Sequence, residues 1–346
     1  MNSPFTGKDI LVTGGCGSIG SEIVRQLLKH NPSRIRVLDN DEAGQFRLSQ
    51  ELQNPIVRHL LGDIRDRDRV NRAMQRVDIV FHAAALKHVP FCEYNPFEAV
   101  STNVIGTQNV VDAAVNADVE RFISISTDKA VNPINTMGAT KLLSEKIVTN
   151  APAGFSRCIF SSVRFGNVLN SSGSVIPIFH DQIKRGGPLT ITSTEMTRFF
   201  MSLQEAVDLV LKSAERAKGG ETFILKMPAL RIVDLADVLV DMLADRYGYS
   251  PDEIKRQIIG IRPGEKLHEY LLTEEESAYL IEDEDLFILY NSLLAGYGKG
   301  VVKQDTSKRD RTYGSNTNGY LTKEQIRTVL EQNGIIEPVP TRHSTR

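Results

Sequence analysis

Asp9-Ile10-Leu11-Val12-Thr13-Gly14-Gly15-Cys16-Gly17-Ser18-Ile19-Gly20 decides the fold. The first five residues read as a buried strand, and an apolar-periodic helix is expected from Ser21 to Lys29. Glycines at 14, 17 and 20 lie between them. In such a strand–turn–helix one glycine permits the tight turn, one lets a pyrophosphate approach the backbone, and one lets the helix pack on the strand. The helix N-terminus, with Ser18 and Ile19, then faces the phosphates. Cys16, inside the loop, reads as a small filler rather than a reactive thiol.

The chain after the loop fits the same plan. A second strand, Arg34 to Leu38, ends in Asp39. A carboxylate about 20 residues past the glycines can accept from both ribose hydroxyls and repels a 2′-phosphate. Asn40 stands where an arginine would favour NADP. NAD is therefore the expected cofactor, with NADP as the alternative. A third strand end, Leu60 to Ile64, places Asp63 and Ile64 to meet the adenine. A fourth strand, Val77 to Phe81, leads into His82-Ala83-Ala84-Ala85, with Ala83 small enough for close backbone approach to the cofactor. A long helix from Glu98 to Ala117 carries Asn103.

The fifth strand, Arg121 to Ser126, leads into Thr127-Asp128-Lys129, and a helix carrying Lys141 follows. A hydroxyl, a carboxyl and an amine thus stand together where a strand ends, and open parallel sheets collect their chemistry there. With a sixth strand, Cys158 to Val163, the alternation predicts a right-handed, Rossmann-type parallel sheet with helices on both faces.

Beyond residue 168 the texture changes. The reading assigns residues 1–168 to a dinucleotide-binding domain, with a returning segment near 199–228. Residues 169–198 and 229–346 form a smaller C-terminal α/β domain for substrate, ending in a loose tail over 335–346. Residues 284 to 319 carry little signal. A helix is expected from Leu321, with Thr322 and Gln325 as a capping box and Gly334 as its stop. Arg198, Arg262 and Lys184 are candidates for holding a diphosphate, because guanidinium forks match phosphate oxygens and lysine adds a point charge.

The totals exclude several classes. The chain has 346 residues, a formal charge of −2 and three cysteines. The near balance of charge implies no polyanion-binding surface, so no nucleic-acid partner is expected. The cysteines, odd in number and far apart, suggest neither disulfides nor zinc and fit a reducing cytoplasm. No metal is expected, since His268-Glu269 has no second histidine at a ligating spacing. No run of about 18 apolar residues marks a membrane span.

Several longer motifs point to a family. Thr13-Gly14-x-x-Gly17-x-x-Gly20 with Lys141 resembles the extended short-chain dehydrogenase/reductase superfamily. Ala85-Leu86-Lys87-His88-Val89-Pro90, Ser126-Thr127-Asp128-Lys129-Ala130 and Met137-Gly138-Ala139-Thr140-Lys141 narrow it. So do Arg164-Phe165-Gly166-Asn167-Val168, Gly173-Ser174-Val175, Met196-Thr197-Arg198-Phe199 and Arg262-Pro263-Gly264-Glu265-Lys266. Over residues 8 to 285 the set is similar to the UDP-N-acetylglucosamine 4,6-dehydratases of the polysaccharide-biosynthesis group. One departure is clear: the superfamily's usual tyrosine, four residues before the lysine, is Met137, which has no proton to transfer.

The resemblance implies a UDP-sugar substrate and an internal redox reaction. Hydride leaves C4 of the sugar, water is lost across C5 and C6, and the hydride returns to C6. It implies Asp128 as the acid for the C6 hydroxyl, Lys129 as the base at C5, Thr127 as a hydrogen-bond partner of O4, and Lys141 at the nicotinamide ribose. It further implies Lys87, Asn167, Arg198, Arg262 and Glu265 as substrate-binding residues, and a homo-oligomer. A 4-epimerase on the same scaffold and a non-catalytic NAD/nucleotide-sugar-binding module are the alternatives.

Overall fold

The computed structural model describes residues 3–151, 157–169, 174–283, 285–291, 312–317 and 319–335. The polar run at 170–173 and the tail beyond 335 lie outside the described residues. The chain separates into two compact units. The first comprises Met1–Gly166, Leu203–Lys226 and Tyr270–Tyr313; the second comprises Asn167–Ser202, Met227–Glu269 and Gly314–Arg346.

The first unit is built on a nine-stranded sheet. Six strands follow the sequence reading: β1 (Asp9–Thr13), β2 (Arg34–Asp39), β3 (Val57–Leu61), β4 (Ile79–His82), β5 (Arg121–Ile125) and β6 (Ile159–Arg164). They lie in the order β6-β5-β4-β1-β2-β3 and pair in parallel. Their apolar runs are buried because helices cover both faces. Val70, Val110, Val111, Phe122, Val148 and Phe160 belong to one buried cluster. The fold class is that of a doubly wound, Rossmann-type sheet.

Three elements differ from the sequence reading. The expected returning segment supplies the strand Glu221–Leu225, which pairs parallel with β6; the difference is that Leu286–Tyr290 then pairs antiparallel with it. Tyr270–Tyr313 therefore groups with the first unit rather than with the region assigned to substrate. The reason is ladder pairing: the apolar run Leu286-Phe287-Ile288-Leu289-Tyr290 completes an open sheet edge, which local pattern does not reveal.

The long helix expected over Glu98 to Ala117 is instead segmented. It consists of an α-helix Pro96–Val100, a π-helical stretch Ser101–Gly106 and an α-helix Thr107–Asn116. Single-turn π-helical inserts of this kind are frequent at functional sites. Here the insert puts Asn103 inside, 1% exposed. The first helix also begins earlier than expected, spanning Ser18–Leu28 with Gly17 as its N-cap.

The second unit has its own core. Its strands Asn167–Val168, Thr197–Met201 and Ala229–Arg231 form a three-stranded sheet, and Leu189–Ile191 pairs with Arg256–Ile258. Helices Val175–Lys184, Ile232–Leu243 and Lys323–Gln332 contribute Phe179, Leu239 and Leu330 to one apolar cluster. The last helix carries the capping box read from Thr322 and Gln325.

Phe122 is fully buried on β5 and packs on Phe160 at a ring separation of 5.2 Å. Phe122→Ala leaves a cavity under the strand that leads to Thr127. It is expected to cost about 3–5 kcal/mol of stability, read by urea unfolding of the whole chain.

Candidate active site

The glycine loop is shaped by contacts that admit no side chain. Gly14 has φ +66°, and a Cβ there would lie 2.5 Å from the Ala84 nitrogen. A Cβ at Gly20 would collide with the Gly14 carbonyl oxygen. Gly17 differs. A Cβ there would meet only the Gly14 oxygen, at 3.4 Å, and Gly17 caps its helix with no side-chain hydrogen bond. The N–H groups that a helix N-terminus presents, beside an open glycine, fit a pyrophosphate.

Asp39 closes the same loop: Oδ2 accepts from the Cys16 N–H at 2.9 Å and Oδ1 from the Asp41 N–H at 3.0 Å. Burial, helped by Asp39 and Asp41, pushes the Cys16 thiol up to about 12, so it stays protonated. Asp63 is engaged more fully. It accepts from the Arg65 backbone and side chain, with one Nη at 2.6 Å, and Arg65 holds its carboxyl below the usual range. Ile64 is buried, and the Ala83 N–H donates to the Thr13 carbonyl.

At the end of β5 the structure brings Thr127, Asp128 and Lys129 onto one short 3-10 turn. Asp128 has no solvent exposure. Its Oδ1 accepts from the Thr127 hydroxyl at 2.8 Å and from Lys129 Nζ at 2.9 Å, while Oδ2 is buried without a hydrogen-bond partner. The backbone is held too, since the Asp128 N–H donates to the Phe165 carbonyl at 3.1 Å.

The helix Thr136–Thr149 packs tightly behind this turn. Its N-cap Asn135 accepts from the Gly138 N–H at 2.7 Å, and a Cβ on Gly138 would strike the Lys129 carbonyl oxygen. Lys141 donates to the Ile125 carbonyl at 2.6 Å. Burial pushes its ammonium down to about 8, against the opposing pull of Glu145. Met137 is buried against Cys92 and Ala99. The position where the superfamily keeps a phenol is thus an apolar contact in this chain.

A buried polar chain that the sequence reading missed runs beneath the site. The Thr107 hydroxyl donates to the Asn103 carbonyl at 2.7 Å, so His82 Nε2 donates to Thr107 at 2.9 Å. His82 Nδ1 then accepts from Thr13 at 2.7 Å. Burial, with Lys141 adding to it, pushes the imidazole down to about 3. The Asn103 amide bonds both the N–H and the C=O of Leu86. The available signal was the four-residue spacing of small polar residues, Asn103/Thr107 and Thr140/Ser144, on helices otherwise lined with apolar side chains.

In the second unit the structure brings two of the sequence motifs together. Arg198 donates to the Thr197, Leu267 and Lys266 carbonyls and lies 3.7 Å from Glu265. Two of these three hydrogen bonds hold the 262–269 segment. Arg262 stands exposed on its turn. Asn167 pairs with Phe200 across the sheet, on the strand that carries Arg198. Lys184 ends its helix, and Lys87, in the first unit, is exposed.

Among known proteins, residues 10–291 match the family described as polysaccharide biosynthesis protein. A Methanocaldococcus jannaschii protein called an uncharacterized membrane protein is 55% identical over 331 residues, covering 95% of this chain and 96% of its own. Among the described residues, no helix is long and apolar enough to cross a membrane. The inverting UDP-N-acetylglucosamine 4,6-dehydratase of Campylobacter jejuni is 43% identical over 293 residues, 84% of each chain. A UDP-glucose 4-epimerase of Rickettsia rickettsii is 44% identical over 280 residues, 79% of this chain and 80% of its own.

Two solved structures are also similar. Pen from Bacillus thuringiensis superposes with a TM-score of 0.89 at 42% identity, covering 96% of this chain and 99% of its own. A dTDP-glucose 4,6-dehydratase from Streptomyces venezuelae, solved with NAD bound, superposes with a TM-score of 0.67 at 25% identity, covering 75% and 86%.

Two experiments probe this geometry. Gly17→Ala should melt near the parent temperature yet bind a nicotinamide dinucleotide about 10-fold or more weaker by calorimetry, whereas Gly14→Ala should lose stability outright. His82 is neutral in the folded protein down to about 3, against an ordinary 6.5. Between those values the unfolded chain binds the extra proton, so this group's stabilisation is lost as pH falls through that window. His82→Gln should flatten the pH dependence of unfolding there, measured by urea titration at pH 4 to 7.

Proposed function

The chain belongs to the polysaccharide-biosynthesis protein family, and within its nucleotide-sugar dehydratase/epimerase class we propose that it is a UDP-N-acetylglucosamine 4,6-dehydratase holding NAD. The observation that supports this reading best is the Thr127-Asp128-Lys129 turn, with one Asp128 oxygen buried and unpartnered. An epimerase returns hydride to C4 and needs no acid at C6. A dehydratase needs an acid and a base together.

The Asp128–Lys129 pair meets that need with one proton. As an ion pair it is carboxylate and ammonium. A proton moved along the 2.9 Å contact makes it carboxylic acid and amine, the protonation state that can donate to the C6 hydroxyl and accept from C5. NAD, when bound, supplies the acceptor for the C4 hydride and its return to C6. Thr127 takes the place of the missing phenol: with Asp128 entering as carboxylate and Lys129 as amine, its hydroxyl can accept the O4 proton while passing its own to Asp128 at 2.8 Å, and that is the one proton the pair then delivers to the departing C6 hydroxyl. Lys141, with one donor on the Ile125 carbonyl, has others for the ribose beside the nicotinamide.

For the nucleotide, Arg262 is the stronger diphosphate candidate, because Arg198 spends its donors on its own segment. Arg198 and Glu265 would then shape the turn. The Rickettsia relative supports a second reading, 4-epimerisation.

Proton NMR of the full chain with UDP-N-acetylglucosamine in D2O separates the two. A C6 methyl signal with deuterium at C5 is the expected result; an intact C6 hydroxymethyl with inverted C4 would establish the epimerase. Asp128→Asn and Lys129→Ala should each lower turnover by about 100-fold or more while NAD stays bound. Near-parent turnover in either variant removes that residue from the scheme.

A further inference from the structure

We propose that Arg164 is a positioning residue for the catalytic turn, acting through Glu145 and Ser126 on the segment Ser126–Lys129 and on the Lys141 helix. The proposal deepens the dehydratase reading and rests on it for the chemistry. Its geometry lies within the first unit.

Arg164 ends β6 and is fully buried. All five of its N–H groups are used. Nε donates to Glu145 Oε2 at 3.2 Å. One Nη donates to the Leu271 carbonyl at 3.0 Å and to Glu276 Oε2 at 2.9 Å. The other donates to Glu276 Oε1 at 2.9 Å and to Glu145 Oε1. Glu276 is itself fixed by a capping box with Thr273.

The Glu145 arm of this cluster and the residue after Arg164 reach the catalytic elements. The Ser126 hydroxyl donates to Glu145 Oε2 at 2.6 Å, one residue before Thr127. Glu145 lies one helical turn after Lys141 and favours its ammonium. The residue after Arg164, Phe165, gives its carbonyl to the Asp128 N–H. Ladder bonds already hold β5 to β6. What they do not reach is the side chains past the strand ends, and the guanidinium bridges there.

A cluster serving stability alone would need no bond to Ser126, and an apolar core of the same volume would serve as well. Only a planar fork satisfies two carboxylates and a carbonyl at once, so lysine is a poor substitute. One cation between two carboxylates also leaves the cluster net negative, next to Lys141.

The test compares Ser126→Ala, Glu145→Gln and Arg164→Lys in the NAD-loaded full chain. Each should lower kcat by about 10- to 100-fold, as for a misplacement on the order of 1 Å. KM should stay within about 2-fold and the melting temperature of Ser126→Ala near the parent's. Without substrate, 15N-lysine NMR should show Lys141 titrating at lower pH in Glu145→Gln. Ser126→Ala and Glu145→Gln both keeping parent kcat would overturn the proposal, as would an unshifted Lys141 in Glu145→Gln. Should Arg164→Lys not fold, the Ser126→Ala and Glu145→Gln variants decide. A parent enzyme that forms no 4-keto-6-deoxy sugar refutes the dehydratase reading alone, and the lysine titration still decides the positioning role.

Discussion

A carboxylate with no solvent exposure has to be held from several sides, and Asp128 organises its surroundings accordingly. Its charge is matched by Lys129, its Oδ1 is hydrogen-bonded by Thr127, and its backbone is tied to Phe165. Breaking a buried pair by removing one partner costs on the order of 3–5 kcal/mol, whereas an exposed pair contributes about 1 kcal/mol at most. The turn is therefore expensive to build, and the packing of Gly138 against Lys129 and of Met137 among Cys92 and Ala99 keeps it closed.

The same economy of contacts explains the glycines. Gly14 and Gly20 have their Cβ space taken by protein backbone, while Gly17 has its space open. Two of the three are thus required by the fold, and the third leaves room beside the helix end. The neutral His82 below the loop joins β1, β4 and the Thr107 helix without adding a charge. The π-helical stretch is what turns Asn103 inward to hold Leu86.

Pattern and chemistry made much of this legible. Strand alternation, the glycine spacing and Asp39 announced the parallel sheet and its loop, and Thr127-Asp128-Lys129 announced itself as polar side chains where a strand ends. Arg198 was less legible. A guanidinium in a motif reads as a ligand for phosphate, yet here its donors fall on the Lys266 and Leu267 carbonyls. Only the fold reveals which acceptors lie within reach of a long side chain.

The sequence by itself determined the local elements and the identity of the reactive groups, because periodicity, turn residues and side-chain chemistry are local properties. Tertiary structure alone decided that Leu286–Tyr290 completes the first sheet, that Arg164 joins Glu145 to Glu276, and that Lys141 is buried enough to titrate near 8. Each of these depends on groups far apart in the chain. Ladder pairing, ion-pair geometry and desolvation are set by distance in space, and a linear pattern carries no record of it.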